Sequence, residues 1–187
     1  MNRILHRTAT GPLFAAVMLV LAACAAEQDV TLPTCPKATV LEETSTLTRF
    51  RDGPGQDLID VNFTGKIEHL TGSCVFDVDS AGAGLLKMDV SVEVRVDRGP
   101  ANRDRTTQFE YFVGILNANG TVIAKEIFPF SIKFSGNNTT SKIVDAPVTM
   151  NIPVTADQGS ADFSVFVGFQ LTPDELRYNR DIAHGRK

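Results

Sequence analysis

Tryptophan is absent from the 187 residues, and histidine and cysteine occur three times each. Each scarcity closes off a class of function. A Ser-His-Asp site in the body of the chain would have to use His69 or His184, and no Gly-x-Ser-x-Gly elbow accompanies either. No Cys-x-x-Cys pair exists, and no two His or Cys stand at a zinc-ligand spacing, so dithiol redox and zinc chemistry lack their donors. The expectation is a non-enzymatic protein with no catalytic residue, no metal and no cofactor. The missing Trp also removes one hallmark of antibody domains. Beyond the N-terminal region, no apolar run approaches the about 20 residues of a membrane-spanning helix.

What is present begins with targeting. Arg3, His6 and Arg7 form a charged start, and Gly11 to Val20 begin an apolar stretch that runs into Leu21. Ala22 and Ala23 then supply the small residues of a secretory cleavage site. An uncleaved anchor or an ordinary secretory signal with an incidental cysteine would share some of these features. The run Leu21-Ala22-Ala23-Cys24 resembles the lipobox of bacterial lipoproteins. That resemblance implies removal of residues 1–23, acylation of Cys24 (diacylglycerol on sulfur, with a further palmitate-like chain on the new N-terminus) and membrane attachment through the lipid. Stable anchoring takes two membrane signals, and two or three acyl chains satisfy that requirement. Ala25, in place of the Asp that retains lipoproteins at the inner membrane, implies an outer-membrane protein facing the periplasm.

With the leader gone, Arg3 and Arg7 go too, and the formal charge moves from −4 to −6. That balance gives no support for nucleic-acid binding, which usually shows a basic footprint. Acylation of Cys24 leaves Cys35 and Cys74, an even pair in an oxidising compartment, and a disulfide between them is expected. A free redox thiol or a metal ligand is the alternative use of either. Residues 24–35 read as the lipidated N-terminus and tether. Ten extended residues reach about 35 Å at most, which keeps the domain near its own leaflet.

From Pro36 onward the period is two. Between Leu86 and Asp97 every even position is apolar and every odd one polar or charged, the mark of a strand with one wet face. Ile59, Val61, Phe63 and Ile67 read as the inner face of an earlier strand, and Cys74, Phe76 and Val78 as the next. Phe109, Tyr111, Val113 and Ile115 lead to a turn at Asn117-Ala118-Asn119-Gly120. Val122, Ala124, Phe128, Phe130, Ile132 and Phe134 return from it. Val144, Ala146, Val148, Met150 and Ile152 line one further strand, which Pro147 and Pro153 mark as an edge or a bulge. Phe163, Val165, Val167, Phe169 and Leu171 line the last. With a first strand near Thr39 to Leu41, about eight strands predict an all-β, antiparallel two-sheet sandwich of immunoglobulin or fibronectin type III character over 36–179. A closed barrel is the other architecture this pattern allows. Thr172-Pro173-Asp174-Glu175 is a capping box that predicts a short C-terminal helix to about Tyr178, with 180–187 a flexible tail.

Few residues suggest ligand chemistry. Asp77 to Gly82 resembles the opening of a calcium loop, but Ala81 and Met88 occupy two ligand positions, and an irregular site on the two carboxylates is all that would remain. Gly53-Pro54-Gly55 precedes a strand, so it lacks the helix N-terminus of a phosphate cradle. Arg98, Arg103 and Arg105 could grip phosphate, carboxylate or an acidic surface. A solvated loop whose charges offset Asp97 and Asp104 accounts for the same residues. The segment Gly168 to Leu176, with the lipobox and the strand pattern, is similar to small bacterial lipoproteins that bring no activity with them. The expected role is therefore protein interaction or envelope assembly, with anion binding through the Arg-rich loop as the alternative.

Overall fold

Alternation of apolar and polar residues governs residues 34–186, which the computed structural model describes. The leader, Cys24 and residues 25–33 of the tether lie outside the described residues. Nine strands are present among those described: β1 (Ala38–Val40), β2 (Thr46–Phe50), β3 (Val61–Val78), β4 (Gly84–Arg98), β5 (Thr106–Asn117), β6 (Val122–Lys133), β7 (Thr140–Val144), β8 (Val148–Val154) and β9 (Phe163–Phe169). One helix, α1 (Pro173–Ala183), follows. The strands form two sheets, with order β1-β9-β5-β6 in one and β2-β3-β4-β7 in the other, where β8 also pairs β4. This is the expected all-β sandwich rather than a barrel. One pairing departs from the antiparallel rule, since β1 runs parallel to β9.

The core is the sum of the inward faces. Leu86, Met88, Val90, Val92, Val94 and Val96 of β4 are all sealed from solvent, as are Tyr111, Val113 and Ile115 of β5 and Val165, Val167 and Phe169 of β9. At about 1.5–3 kcal/mol for each large apolar side chain, this burial is the main force holding the sheets together.

Local irregularities corrected several sequence expectations. Residues Ile59 to Val78 were expected to make two strands, but β3 is a single strand of 18 residues. A bulge between Ile67 and His69 shifts its phase, so Phe63 and Ile67 face inward before it and Cys74 and Phe76 after it. Ile59 is not on the inner face. It lies in a 3-10 turn (Leu58–Asp60) and is 71% exposed, while Asp60 takes the buried position. Val78 is exposed where β3 ends. Val144 does not share a face with Met150, because β7 and β8 are separate strands on the same edge of β4 and Asp145 to Pro147 break the alternation. Val122 is exposed as well, displaced by a bulge opposite Ile115 and Leu116.

The helix starts where the capping box places it. Thr172 Oγ1 accepts from Glu175 N at 3.3 Å, and Glu175 Oε2 accepts from Thr172 N at 2.8 Å. It ends later than expected. Polar links hold its second half: Asn179 Nδ2 donates to the carbonyls of Thr46 and Glu43 at 2.8 and 2.9 Å, and Arg180 pairs with Glu43. Tyr178 meets Phe50 edge-on at 5.1 Å. The helix thereby covers the open edge of β2, whose carbonyls would otherwise invite another strand.

Candidate functional site

Two cross-sandwich links set the geometry of the surfaces. Cys35 and Cys74 form the expected disulfide, with a Cα–Cα distance of 5.6 Å, joining the segment before β1 to the far half of β3. The second link left no sequence signal. Tyr111, fully buried on β5, donates its hydroxyl to Asp145 Oδ2 at 2.6 Å, in the break between β7 and β8. Burial first, and then the carboxylate beside it, push the Tyr111 hydroxyl well above the ordinary tyrosine range.

The outer faces of the two sheets differ in chemistry. On the sheet containing β3 and β4, polar residues dominate. Lys142 pairs with Glu68, Lys87 with Asp77 at 2.8 Å and Arg95 with Asp97 at 3.0 Å, while Thr149 donates to Asp89 at 2.6 Å. His69 is exposed on this face beside Glu68, opposite Glu93 on β4. On the other sheet, Phe112 of β5 pairs directly with Ile127 of β6, and Leu116 with Val122. Gly114 sits between Phe166 of β9 and Lys125 of β6. Lys125 extends over the Phe112 ring at 4.4 Å to its centroid and donates to Gln170 at 2.9 Å. Ile127 is 48% exposed and Val122 59%. The half of this face nearer the β5–β6 turn is thus an apolar patch with Lys125 laid across it, while Gln108, Glu110, Ser131 and Lys133 make its other half polar.

A cleft of about 760 Å³ opens where β9 ends and the chain passes through Gln170 to Thr172 into α1. Arg49 forms one wall. Its Nε donates to Glu175 and its Nη1 to the Gln108 carbonyl, both at 2.9 Å, and the guanidinium lies 5.4 Å from the Phe63 ring centroid. Arg49 is occupied with joining β2, β5 and α1. The remaining walls include Gln108, Glu110, Pro129, Ser131 and Leu171, with no imidazole or thiol among them.

Arg98, Arg103 and Arg105 flank and occupy the loop between β4 and β5, and Arg103 and Arg105 are exposed. The loop is organised by Asn102, a residue that sequence reasoning passed over. Asn102 is 7% exposed, and its Nδ2 donates to Asn62 Oδ1 at 2.7 Å and to the Thr106 carbonyl at 2.9 Å. Its Oδ1 accepts from the Arg105 amide at 2.9 Å, which holds Arg105 at φ 57°. The Asp79 carboxylate accepts from the amides of Ala81 and Ala83, closing its turn in the way an Asx residue does. Among the described residues, no three His, Cys, Asp or Glu side chains are grouped to hold a metal ion.

No family model, curated protein or solved structure matches this chain. Its surfaces have to be read from their own chemistry.

Proposed function

We propose that this chain is a non-enzymatic, lipid-anchored cell-envelope protein, attached through Cys24 to the outer membrane and facing the periplasm, that docks a partner protein on the outer face of β5 and β6. The observation that carries the docking is the contrast between the two outer faces. One is laced with ion pairs, with Val75, Leu85 and Val144 exposed among them, and the other gathers Phe112, Leu116, Val122, Ile127 and Phe166 around Gly114 in one patch beside a polar half. Apolar side chains grouped on one face of a folded domain are common where proteins meet, whereas single exposed ones need no explanation. The anchor rests on the lipobox resemblance and places the domain where envelope partners are abundant.

A photo-crosslinking amino acid at Ile127 in the full-length protein, expressed in a bacterial host, tests the docking. The same probe at Asp89, on the charged face, is the control. Crosslinks to a defined partner from Ile127 and not from Asp89, lost when Phe112→Asp is added to a folded protein, support the proposal. Equal labelling from both faces, or none from Ile127, refutes it. The anchor has its own assay, because Cys24→Ser should abolish acylation by mass and release the protein from the membrane fraction.

A further inference from the structure

Six of the nine arginines among the described residues hold a carboxylate: Arg49, Arg51, Arg95, Arg177, Arg180 and Arg186. The other three are Arg98, Arg103 and Arg105, all at one end of the sandwich. Asp97, the nearest acid on β4, is already engaged by Arg95 and Thr140. Lys133, opposite Thr106 across the β5–β6 pairing, adds a fourth cation at the same end, and Asp104 is the single acid within the loop.

This loop is built rather than merely exposed. Asn102 fixes it from inside, and Gly99 lies so close to β3 that a Cβ there would stand 2.1 Å from the Val61 carbonyl oxygen. Arg98 continues the inward phase of β4 but emerges half-exposed at the mouth between the sheets. Thr107, two residues beyond Arg105, keeps a buried Oγ1 with no hydrogen-bond partner. We infer that Arg98, Arg103 and Arg105 form a binding site for a ligand carrying several phosphate groups. A guanidinium presents a fixed fork of donors that matches phosphate oxygens, and three unpaired forks suit several anionic groups better than one.

The source of the phosphates follows from where the chain enters the domain. Cys35 is fixed to Cys74, which stands opposite Met88 on β4. From Met88 to Arg98 the strand advances about 33 Å at 3.3 Å per residue. The arginines therefore occupy the end of β4 away from Cys35, which favours a soluble or polymeric phosphate over the headgroups of the anchoring leaflet. This choice of source rests on the lipid anchor proposed above, whereas the anion site itself does not.

Calorimetric titration of the purified protein with inorganic tripolyphosphate, at low and physiological salt, tests the site. Binding should weaken by about tenfold for each of Arg98→Ala, Arg103→Ala and Arg105→Ala, and weaken further as salt rises. Arg177→Ala/Arg180→Ala removes two positive charges elsewhere and should leave binding unchanged. Thermal melting of each variant confirms that it is folded. No binding by the wild type to tripolyphosphate or to phosphatidylglycerol vesicles, or equal losses in the Arg177/Arg180 control, overturns the site. Binding to phosphatidylglycerol vesicles without binding to tripolyphosphate overturns the soluble source.

Discussion

Tyr111→Phe removes one oxygen atom and thereby isolates the hydrogen bond that spans the sandwich. The wild-type contact is a buried hydroxyl donating to a carboxylate at 2.6 Å. Bonds to charged acceptors contribute about 1.5–3 kcal/mol. Asp145 is only half-buried and also accepts from the Ala146 amide at 2.9 Å, so water can replace part of what is lost. The expected cost is about 1.5–2 kcal/mol, at the lower end of the range. In a domain of this size that lowers Tm by roughly 3–8 °C. Urea unfolding of wild type, Tyr111→Phe, Asp145→Ala and the double variant gives the coupling directly, with an expected interaction of about 1–2 kcal/mol. The same pair makes an alkaline prediction. Tyr111 is raised in the folded state, so the folded protein retains a proton that the unfolded chain releases. That contribution is fully present below the ordinary tyrosine value of 10.0 and is lost as pH rises above it. The stability gap between wild type and Tyr111→Phe should therefore shrink above about pH 10. A Phe variant within about 0.5 kcal/mol of wild type, or fully additive single effects, would refute the reasoning.

Replacing both Cys35 and Cys74 with Ser should cost about 4 kcal/mol, the chain-entropy value for a separation of 39, read as a lower urea midpoint. Asn102→Ala leaves the Arg105 amide and the Thr106 carbonyl without their partner. It should destabilise by about 2–3 kcal/mol, with faster amide exchange confined to the loop between β4 and β5. Acid should destabilise the fold as well. Hydrogen bonds from Arg180, Lys142 and Lys87 lower Glu43, Glu68 and Asp77; burial opposes the same shift at Asp97, but Arg95 and Thr140 outweigh it. Depressed carboxylates give stability that is present above their unfolded values of 3.8–4.5 and is lost as pH falls below them, so the urea midpoint should drop below about pH 4.

The strand signals varied in how far they could be read, for identifiable reasons. The alternation in β4 was complete because that strand has neighbours on both edges and one face on the core, so every residue obeys the same constraint. The same rule failed at Ile59, Val78, Val122 and Val144, each at a turn, bulge or strand end where the pleat breaks. A bulge costs one residue of phase and leaves no consistent mark on composition, so β3 read as two strands instead of one. The helix start was legible because its capping box is local. Its end was not, because Asn179 and Arg180 find their partners more than 130 residues earlier in the chain.

The candidate surfaces divide in the same way. Arg98, Arg103 and Arg105 stood out by density of charge alone, but their lack of acidic partners emerges only when the other arginines are seen to be paired. Nothing in the local sequence marked Asn102, because an Asn in a polar loop looks the same whether it is buried or exposed. The apolar outer face was hidden because Phe112, Leu116, Val122, Ile127 and Phe166 come from three strands and meet only through register.

By itself the sequence determined the strand-rich, all-β class and the start of the helix, because period and capping chemistry are local constraints. It offered the sandwich beside a barrel, and the pairing of Cys35 with Cys74 only with Cys24 set aside for acylation. Tertiary structure alone decided which outer face gathers an apolar patch, which arginines are left without a carboxylate, and that Tyr111 reaches Asp145. Those depend on strand order and register, through which residues far apart in the chain become neighbours.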